Sequence, residues 1–355
     1  MGDGKLIDFI EQVSGGVHLR VEEDLGNGFV RLRSEEAERR QAKHDIRCVE
    51  DIIIELLRNA RDARARAIYI ATSKEGELRS ITVIDDGQGI PPTLHESIFE
   101  PRVTSKLETM VMDDWGIHGR GMALYSIRSN VTEAKVACSS EGLGSSLSIK
   151  VDTSLLPEKA DQSTFPTLER DETGKLSAAK GPHNMVRFAL EFALVHRRDP
   201  EIYYGSPSEI AATLLETGHR KITNDELLFC DNINELPISR RLATSADAAE
   251  LMENCQQIGL SISERTAHRI LNHQITPLSA LFERARTGRT KNTTTDLTKD
   301  SRGLKLAKDD VEAFSREMER AFEFLAERYY LSLTDAPKVK VKGDVITVRF
   351  PIEKE

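Results

Sequence analysis

The sequence predicts an α/β protein, in which helices and strands are mixed before residue 200 and helices dominate after it. Three patterns lead to this fold class. Residues 45–65 repeat apolar side chains at three- and four-residue steps, which is the period of an amphipathic helix. Residues 67–72 and 80–85 are strand-like runs joined by a polar turn, which predicts an antiparallel hairpin. Residues 206–288 are mainly helical in pattern.

The remaining elements follow from the same periods and turn signals. They are, in chain order, a helix over 122–129, strands over 133–139 and 145–151, a polar exposed excursion over 157–182, a strand over 185–192, a helix over 309–330, and two strands around residues 342–344.

The composition is that of a soluble globular protein. The chain has 355 residues, of which 39% are hydrophobic and 30% charged, so two or three domains with cores of their own are expected. No apolar run approaches the ~20 residues that a membrane helix needs, and the first residues lack the basic-then-apolar layout of a secretion signal. We therefore expect a cytoplasmic protein without a membrane partner.

The cysteines and the net charge argue against some classes of function. Cys48, Cys138, Cys230 and Cys255 form no CxxC pair, which argues against a zinc site and against a disulfide framework. A formal net charge of -9 argues against attraction of nucleic acid by the whole surface, while a local basic patch stays compatible with it.

The helix predicted over residues 45–65 carries three polar residues on one face. Glu55, Asn59 and Asp62 follow the i, i+4, i+7 rule and lie beside the apolar stripe. ATP hydrolysis needs a group that deprotonates or orients water, and Glu55 is the candidate for this base. The amide oxygen of Asn59 is a hard ligand of the kind that a magnesium ion accepts beside phosphate oxygens. This face therefore predicts a base and a metal ligand.

A second polar segment follows the predicted hairpin directly. Asp85 ends the second strand and precedes a bend that contains Gly87 and Gly89. A carboxylate in this position can accept the exocyclic amine of adenine, while the glycines let the backbone approach the base. The segment therefore predicts selection of adenine over guanine.

A second glycine group lies before the helix predicted over residues 122–129. Gly119 and Gly121 offer unhindered backbone N–H groups, and the helix start adds the positive end of its dipole, so this turn predicts phosphate binding. Lys106 lies between the two glycine turns, where it either reaches the terminal phosphate or remains on the surface.

Together these segments resemble the GHKL superfamily, which comprises gyrase B subunits, the heat-shock chaperone of that group, histidine kinases and MutL-type mismatch-repair proteins. The resemblance implies the Bergerat fold, an α/β sandwich with a mixed, mainly antiparallel sheet covered on one face by helices and with a mobile lid over ATP. It implies that Glu55 is the general base, Asn59 the magnesium ligand and Asp85 the adenine-binding aspartate.

The predicted site has catalytic and cofactor-binding members. The catalytic residues are Glu55 and Lys106, and the residues that bind ATP and Mg²⁺ are Asn59, Asp62, Asp85, Gly87, Gly89, Ile90, Gly119, Arg120, Gly121, Met122 and Ser146. Two positions depart from the superfamily pattern. Asp86 replaces an asparagine that often follows the adenine-binding aspartate, and Ser145-Ser146 stands where many members carry threonine.

The branch of the superfamily is indicated by shorter segments. Residues 98–106 resemble the lid entrance of histidine kinases and also contain the Thr-Ser-Lys of MutL proteins. The rest of the chain looks most similar to the B subunit of type IIB DNA topoisomerases, with residues 257–271 resembling its helix-two-turns-helix insert. The predicted domains are a GHKL ATPase domain over residues 1–200, a helical domain over 201–290, a basic linker over 291–308, and a long helix with a terminal hairpin over 309–355.

The leading hypothesis is a magnesium-dependent ATPase whose lid closure drives a conformational change or homodimerisation and signals to DNA or to a DNA-acting subunit. Two alternatives stay open. One is a histidine-kinase-like protein with His273 as phosphoacceptor, and the other is an ATP-gated scaffold that does not hydrolyse ATP. Basic residues that either contact phosphate backbones or form a solvated linker are Arg284, Arg286, Arg289, Lys291, Lys299, Arg302, Lys305 and Lys308.

Overall fold

The computed structural model describes residues 21–105, 111–113, 116–118, 121–170, 176–196, 199–223, 232–287, 308–342 and 345–354. The chain divides into two compact units, Met1–Thr293 and Thr294–Glu355. The first unit contains the sheet and the site that are described below. In the described parts of the chain, no helix combines the length and the apolar character needed to cross a membrane.

The helices and strands are named in chain order within the described residues. The strands are β1 (Val21–Gly26), β2 (Phe29–Leu32), β3 (Ala67–Glu75), β4 (Leu78–Asp85), β5 (Val103–Thr104), β6 (Val111–Asp113), β7 (Gly116–His118), β8 (Glu133–Ser139), β9 (Ser145–Asp152), β10 (Thr167–Arg170), β11 (Leu176–Lys180), β12 (Glu201–Gly205), β13 (Leu331–Leu333), β14 (Lys338–Lys342), β15 (Val345–Arg349) and β16 (Ile352–Lys354). The helices are α1 (Glu36–Asp45), α2 (Val49–Asp62), α3 (Ala123–Asn130), α4 (Met185–Val195), α5 (Pro207–Lys221), α6 (Ala248–Gln257), α7 (Glu264–Leu271), α8 (Leu281–Thr287) and α9 (Lys308–Tyr329).

The central sheet has five strands in the order β12-β3-β4-β9-β8. β12 runs parallel to β3, and the other neighbours are antiparallel. The predicted mixed, mainly antiparallel sheet is therefore confirmed. The predicted β3–β4 hairpin is present, with Gly76 at φ +58 in its turn, in the left-handed region that favours glycine.

The register between β4 and β9 decides which side chains meet. Asp85 lies opposite Ser145, and Ile84 lies opposite Ser146. Because successive side chains of a strand point to opposite faces, Asp85 and Ser145 share one face of the sheet while Ser146 belongs to the other.

Helices cover both faces of the sheet. α2 and α4 pack on the first face, against a buried cluster that includes Ile70, Ile81 and Ile149. α5, α6 and α7 pack on the second face, where Tyr69 and Ile84 are buried. Within residues 1–200, α2 and α4 pack on one face as the resemblance implied, and the second face is covered by helices of the segment after β12.

Two local predictions before residue 200 are wrong. The predicted strand over residues 185–192 is the helix α4, whose first turn is capped by the Asn184 side chain accepting from the Arg187 N–H at 3.0 Å. Arg187 and Glu191 lie four residues apart and form an ion pair at 2.8 Å, so the helical spacing and the Asn184 cap were both signals of a helix. The predicted excursion over residues 157–182 contains the hairpin β10–β11, and Ala178 on β11 is buried in the core.

The helix and the hairpin predicted for the second unit are present where the structure describes it. α9 covers the predicted helix, and β14 pairs with β15 as an antiparallel hairpin. β13 also pairs with β16, a strand pair that the sequence patterns did not indicate. The predicted linker lies outside the described residues except for Lys308. The predicted boundary between residues 200 and 201 stays a prediction, and β12 follows it directly as a strand of the central sheet.

Candidate functional site

A cavity of about 1120 Å³ lies beside α2, the end of β4 and the start of α3. This volume is on the order of that of a small-molecule site in an enzyme, roughly 300–1,000 Å³. The predicted site residues that line the cavity are Glu55, Asn59, Asp62, Asp85, Gly89, Ile90, Gly121 and Met122. The structure therefore brings together residues from all three of the sequence segments described above.

α2 is oriented by its apolar stripe and by its N-terminal cap. Ile52, Ile53 and Leu57 are fully buried on the side of α2 that faces the sheet. The Asp51 side chain accepts from two backbone N–H groups before the helix, at 2.8 and 3.2 Å, which closes a capping box. With this side buried, the face with Glu55 and Asn59 is directed to the cavity.

Asn59 contributes an unsatisfied polar group to the cavity wall. Its Nδ2 atom is buried and has no hydrogen-bond partner among the residues that the structure describes. Leaving such a donor unpaired costs about 1–3 kcal/mol, a cost that a ligand oxygen in the cavity would remove. The amide oxygen on the same group is a hard neutral ligand, so Asn59 fits a magnesium ion that is held mainly by substrate phosphates.

Asp85 is a buried carboxylate with two defined partners. Its side chain is 4% exposed, and it accepts a hydrogen bond from the Ser145 hydroxyl at 2.5 Å and from the Gly87 N–H at 2.8 Å. Burial raises the pKa of Asp85 to about 6, with a further increase from the charge of Asp86, although the two hydrogen bonds lower it. At neutral pH it can act as an acceptor for a ligand amine.

The two glycines after Asp85 have different tasks. Gly89 lines the cavity at φ +71, and a Cβ there would lie 2.0 Å from the Ser140 carbonyl oxygen. Gly87 is not among the residues that line the cavity, and a Cβ there would lie 2.6 Å from the carbonyl oxygen of Ala63 at the end of α2. Gly87 therefore lets the turn pack against α2 and donate its N–H to Asp85.

The second glycine turn reaches the cavity through Gly121, which has φ +67. Its carbonyl oxygen accepts from the Arg102 N–H at 2.9 Å, which joins the two ends of the segment between β5 and α3. α3 begins two residues later, so its N-terminal N–H groups lie beside the cavity. Lys106, Gly119 and Arg120 lie outside the described residues.

Ser146 does not belong to this site. Its side chain is fully buried and donates to the Ile258 carbonyl oxygen at 2.7 Å, on the second face of the sheet. Ser145 instead lines the cavity and contacts Asp85. The signal that separates the two serines is the alternation along β9 together with its register to β4, which places Ser145 opposite Asp85.

Asp86 and His273 also lie outside the cavity lining. The Asp86 carboxylate accepts from the backbone N–H groups of Arg66 and Ala67 at 2.7 and 2.8 Å, so it holds the start of β3 against the end of β4. His273 is exposed, with φ +53, two residues after the end of α7. The position of His273 is that of a residue that ends a helix in the left-handed conformation.

Sequence reasoning missed a buried charged residue of the cavity wall. Arg58 is 3% exposed, lines the cavity and donates through Nη1 to Glu55 Oε1 at 2.5 Å. The i, i+3 spacing from Glu55 was a usable signal, because residues at this spacing are neighbours on a helix surface. Further cavity residues come from α1 and the β1–β2 hairpin, among them His44 and Phe29.

Comparison with known proteins locates the site within a recognised domain. Residues 44–155 match the family model described as histidine kinase-, DNA gyrase B-, and HSP90-like ATPase. The DNA mismatch repair protein MutL of Chelativorans sp. (strain BNC1) is 44% identical over 78 residues, which are 22% of this chain and 12% of that protein. MutL of Thermus aquaticus is 41% identical over 85 residues, which are 24% of this chain and 15% of that protein.

These matches concern one part of each protein, since the chain spans 12 to 15% of the length of these two relatives. A solved structure, described as the crystal structure of the N terminal domain of a DNA repair protein, is 16% identical with a TM-score of 0.25 and covers 44% of this chain and 60% of that one. A TM-score of 0.25 is too low to support a shared fold. Since the family match contains the helix, the hairpin and both glycine turns that build the cavity, residues 44–155 belong to the histidine kinase-, DNA gyrase B- and HSP90-like (GHKL) ATPase superfamily.

Proposed function

We propose that this protein binds ATP in the cavity beside α2 and hydrolyses it with Mg²⁺, and that closure of the segment between β5 and α3 over the nucleotide controls a change of conformation or dimerisation. One observation carries the proposal, which is that three residues line the same cavity. Glu55 and Asn59 lie on successive turns of α2, and Asp85 lies at the end of β4. The proposal is supported further by the unsatisfied amide of Asn59.

Each of these residues has a task in the proposed reaction. Asp85 accepts a hydrogen bond from the exocyclic amine of adenine. Backbone N–H groups at Gly121 and at the start of α3 bind the phosphates. Glu55 accepts a proton from water as the water oxygen bonds to the γ-phosphorus; the bond from this phosphorus to the β–γ bridging oxygen breaks, and ADP and phosphate leave. Magnesium, when bound through Asn59 and the phosphates, neutralises charge on the phosphate oxygens.

Two substitutions test the assignment of roles. Glu55→Ala is expected to retain ATP binding and to lower kcat by about 10²–10⁴-fold, the usual contribution of a positioned base. Asn59→Ala is expected to weaken binding of the magnesium complex more than binding of the nucleotide in EDTA. Arg40→Ala serves as the control, since Arg40 is exposed on α1 and does not line the cavity. ATP turnover that is unchanged in Glu55→Ala removes the proposed base, and failure of any adenine nucleotide to bind the parent protein removes the proposed function.

A second candidate function is an ATP-gated scaffold that binds ATP without turnover. The ion pair between Glu55 and the buried Arg58 favours it, because a guanidinium in contact with the carboxylate competes with the proton that a base must accept. For a scaffold, isothermal titration would measure ATP binding while phosphate release stays at the background rate, and crosslinking would detect a nucleotide-dependent dimer. Phosphate release above that of Glu55→Ala would exclude this candidate.

The proposed partner is DNA or a DNA-acting protein subunit. Its support is that the matched relatives are named DNA mismatch repair proteins, and the likeness to the B subunit of type IIB topoisomerases stays a prediction. A gel shift with duplex DNA at two salt concentrations tests direct binding, because phosphate contacts by Lys and Arg weaken steeply as salt rises. An ATPase assay with and without DNA tests coupling. The absence of both a gel shift and a change in turnover would refute a direct DNA partner.

A further inference from the structure

The ion pair between Arg58 and Glu55 is unusual in its place, because both partners line the cavity while the guanidinium is buried. The Arg58 side chain is 4% exposed and the Glu55 side chain 21% exposed. Nη1 of Arg58 lies 2.5 Å from Oε1 of Glu55, as expected for a charge-assisted hydrogen bond.

The helix geometry places Arg58 beside Glu55, on the side away from Asn59. At about 100° per residue, Arg58 and Asn59 lie on opposite sides of Glu55 in the projection down α2, within an arc of about 100°. With Glu55 as the proposed base, the water that it activates and the phosphate that this water attacks would lie between the Asn59 amide and the Arg58 guanidinium.

Arg58 is also the better-desolvated cation of the cavity wall. Among the residues that the structure describes, the arginines that line the cavity are Arg47 and Arg58. The Arg47 side chain is 83% exposed, so solvent screens its charge, whereas Arg58 lies where little water competes. Planar guanidinium groups bind phosphate oxygens through paired N–H donors, and a terminal phosphate offers more negative charge than one carboxylate.

We propose that Arg58 senses the γ-phosphate: it holds Glu55 in the nucleotide-free protein and passes hydrogen bonds to the terminal phosphate when a triphosphate binds. This inference rests on the proposed nucleotide site and deepens it, since it assigns the discrimination between triphosphate and diphosphate to one residue. Transfer of the guanidinium leaves the Glu55 carboxylate to accept the proton of water, so the base becomes active only when its substrate is present. ADP, which has no γ-phosphate, leaves the Arg58–Glu55 pair in place.

The test compares the affinities of a non-hydrolysable ATP analogue and of ADP by isothermal titration. Arg58→Met is expected to reduce the preference for the analogue by about tenfold to a hundredfold, the effect of losing one charge-assisted hydrogen bond, while ADP affinity changes little. Arg58→Lys keeps the charge without the fork and is expected to restore part of this preference. Arg40→Met is the control, because this exposed arginine of α1 pairs with Glu36 and does not line the cavity.

A double variant keeps the test valid if removal of one buried charge prevents folding. Glu55→Gln with Arg58→Met removes both charges of this pair together, and it is expected to show the same loss of preference relative to Glu55→Gln alone. A purely structural role of Arg58 predicts equal changes for both nucleotides, and that result would overturn the proposal while leaving the nucleotide site intact. Absence of any adenine nucleotide binding by the parent protein would instead refute the site itself.

Discussion

Replacement of Asp85 by asparagine is expected to stabilise the empty protein at neutral pH while weakening its affinity for adenine nucleotides. Burial is the main reason that the pKa of Asp85 rises from 3.8 to about 6. Because the pKa of the folded state lies above that of the unfolded chain, the folded protein binds the proton more tightly, and stability falls as pH rises through this window. At 1.36 kcal/mol per unit of pKa shift, the charged carboxylate lowers the free energy of unfolding above pH 7 by about 3 kcal/mol relative to its protonated form.

The side chain of asparagine can satisfy the same neighbours without the charge. Its oxygen can accept from the Gly87 N–H, and its amino group can donate to the Ser145 hydroxyl, so the two contacts of the carboxylate have replacements. The advantage of Asp85→Asn over the parent protein is therefore expected to grow by about 2 kcal/mol between pH 4 and pH 7.5. Urea unfolding at several pH values measures this difference.

Asp152→Asn provides a control with the opposite sign. The hydroxyl and the N–H of Ser154 lower the pKa of Asp152, so the parent protein gains stability from this group as pH rises through the acid range, and the variant lacks this gain. If the Asp85→Asn advantage stays constant across the pH range while Asp152→Asn behaves as stated, the reasoning about the buried carboxylate is wrong.

Two further predictions concern the glycine turn after Asp85 and the strand β9. Gly89→Ala is expected to cost about 3 kcal/mol or more of unfolding free energy, because strain at a positive φ adds to a clash with a backbone oxygen at 2.0 Å. Gly76→Ala, at φ +58 with nothing within 4 Å of the added Cβ, is expected to cost about 1 kcal/mol, and equal thermal shifts of the two variants would contradict the close approach at Gly89. Ser145→Ala is expected to lower the affinity for ATP about tenfold at neutral pH by removing a hydrogen bond that stabilises the ionised Asp85. Ser146→Ala is expected to leave the affinity unchanged and to lower stability by about 1 kcal/mol, so titration calorimetry in which the two serines behave alike would reject the assignment of Ser145 to the cavity.

Some features were predictable because they depend on short-range patterns. The period of α2 predicted that Glu55 and Asn59 share a face, and the cavity contains both. The β3–β4 hairpin was predictable from two alternating runs and a turn with glycine, and it places Asp85 at the strand end. These elements form from contacts between residues close in sequence, so the sequence pattern carries the information.

Other features depended on contacts between distant segments. The strand predicted over residues 185–192 is α4, whose apolar face is buried in the core while Arg187 and Glu191 pair at the helical four-residue spacing on the other side. The sequence predicts Ser146 in the site, whereas the structure has Ser145 there. Neighbouring residues of a strand point to opposite faces of the sheet, and the register of β9 with β4 selects which of them faces the cavity. The helices on the second face of the sheet follow from the parallel pairing of β12 with β3, across more than a hundred residues of chain.

The sequence by itself determined the helix that carries Glu55 and Asn59, the strand that ends at Asp85 and the glycine turns near them, since each depends on residues a few positions apart. Only the tertiary structure decided that these pieces line one cavity, that Ser145 supports Asp85, and that a buried Arg58 contacts Glu55. The physical reason is that register, burial and desolvation arise when distant segments pack, and a local pattern of residues contains none of these quantities.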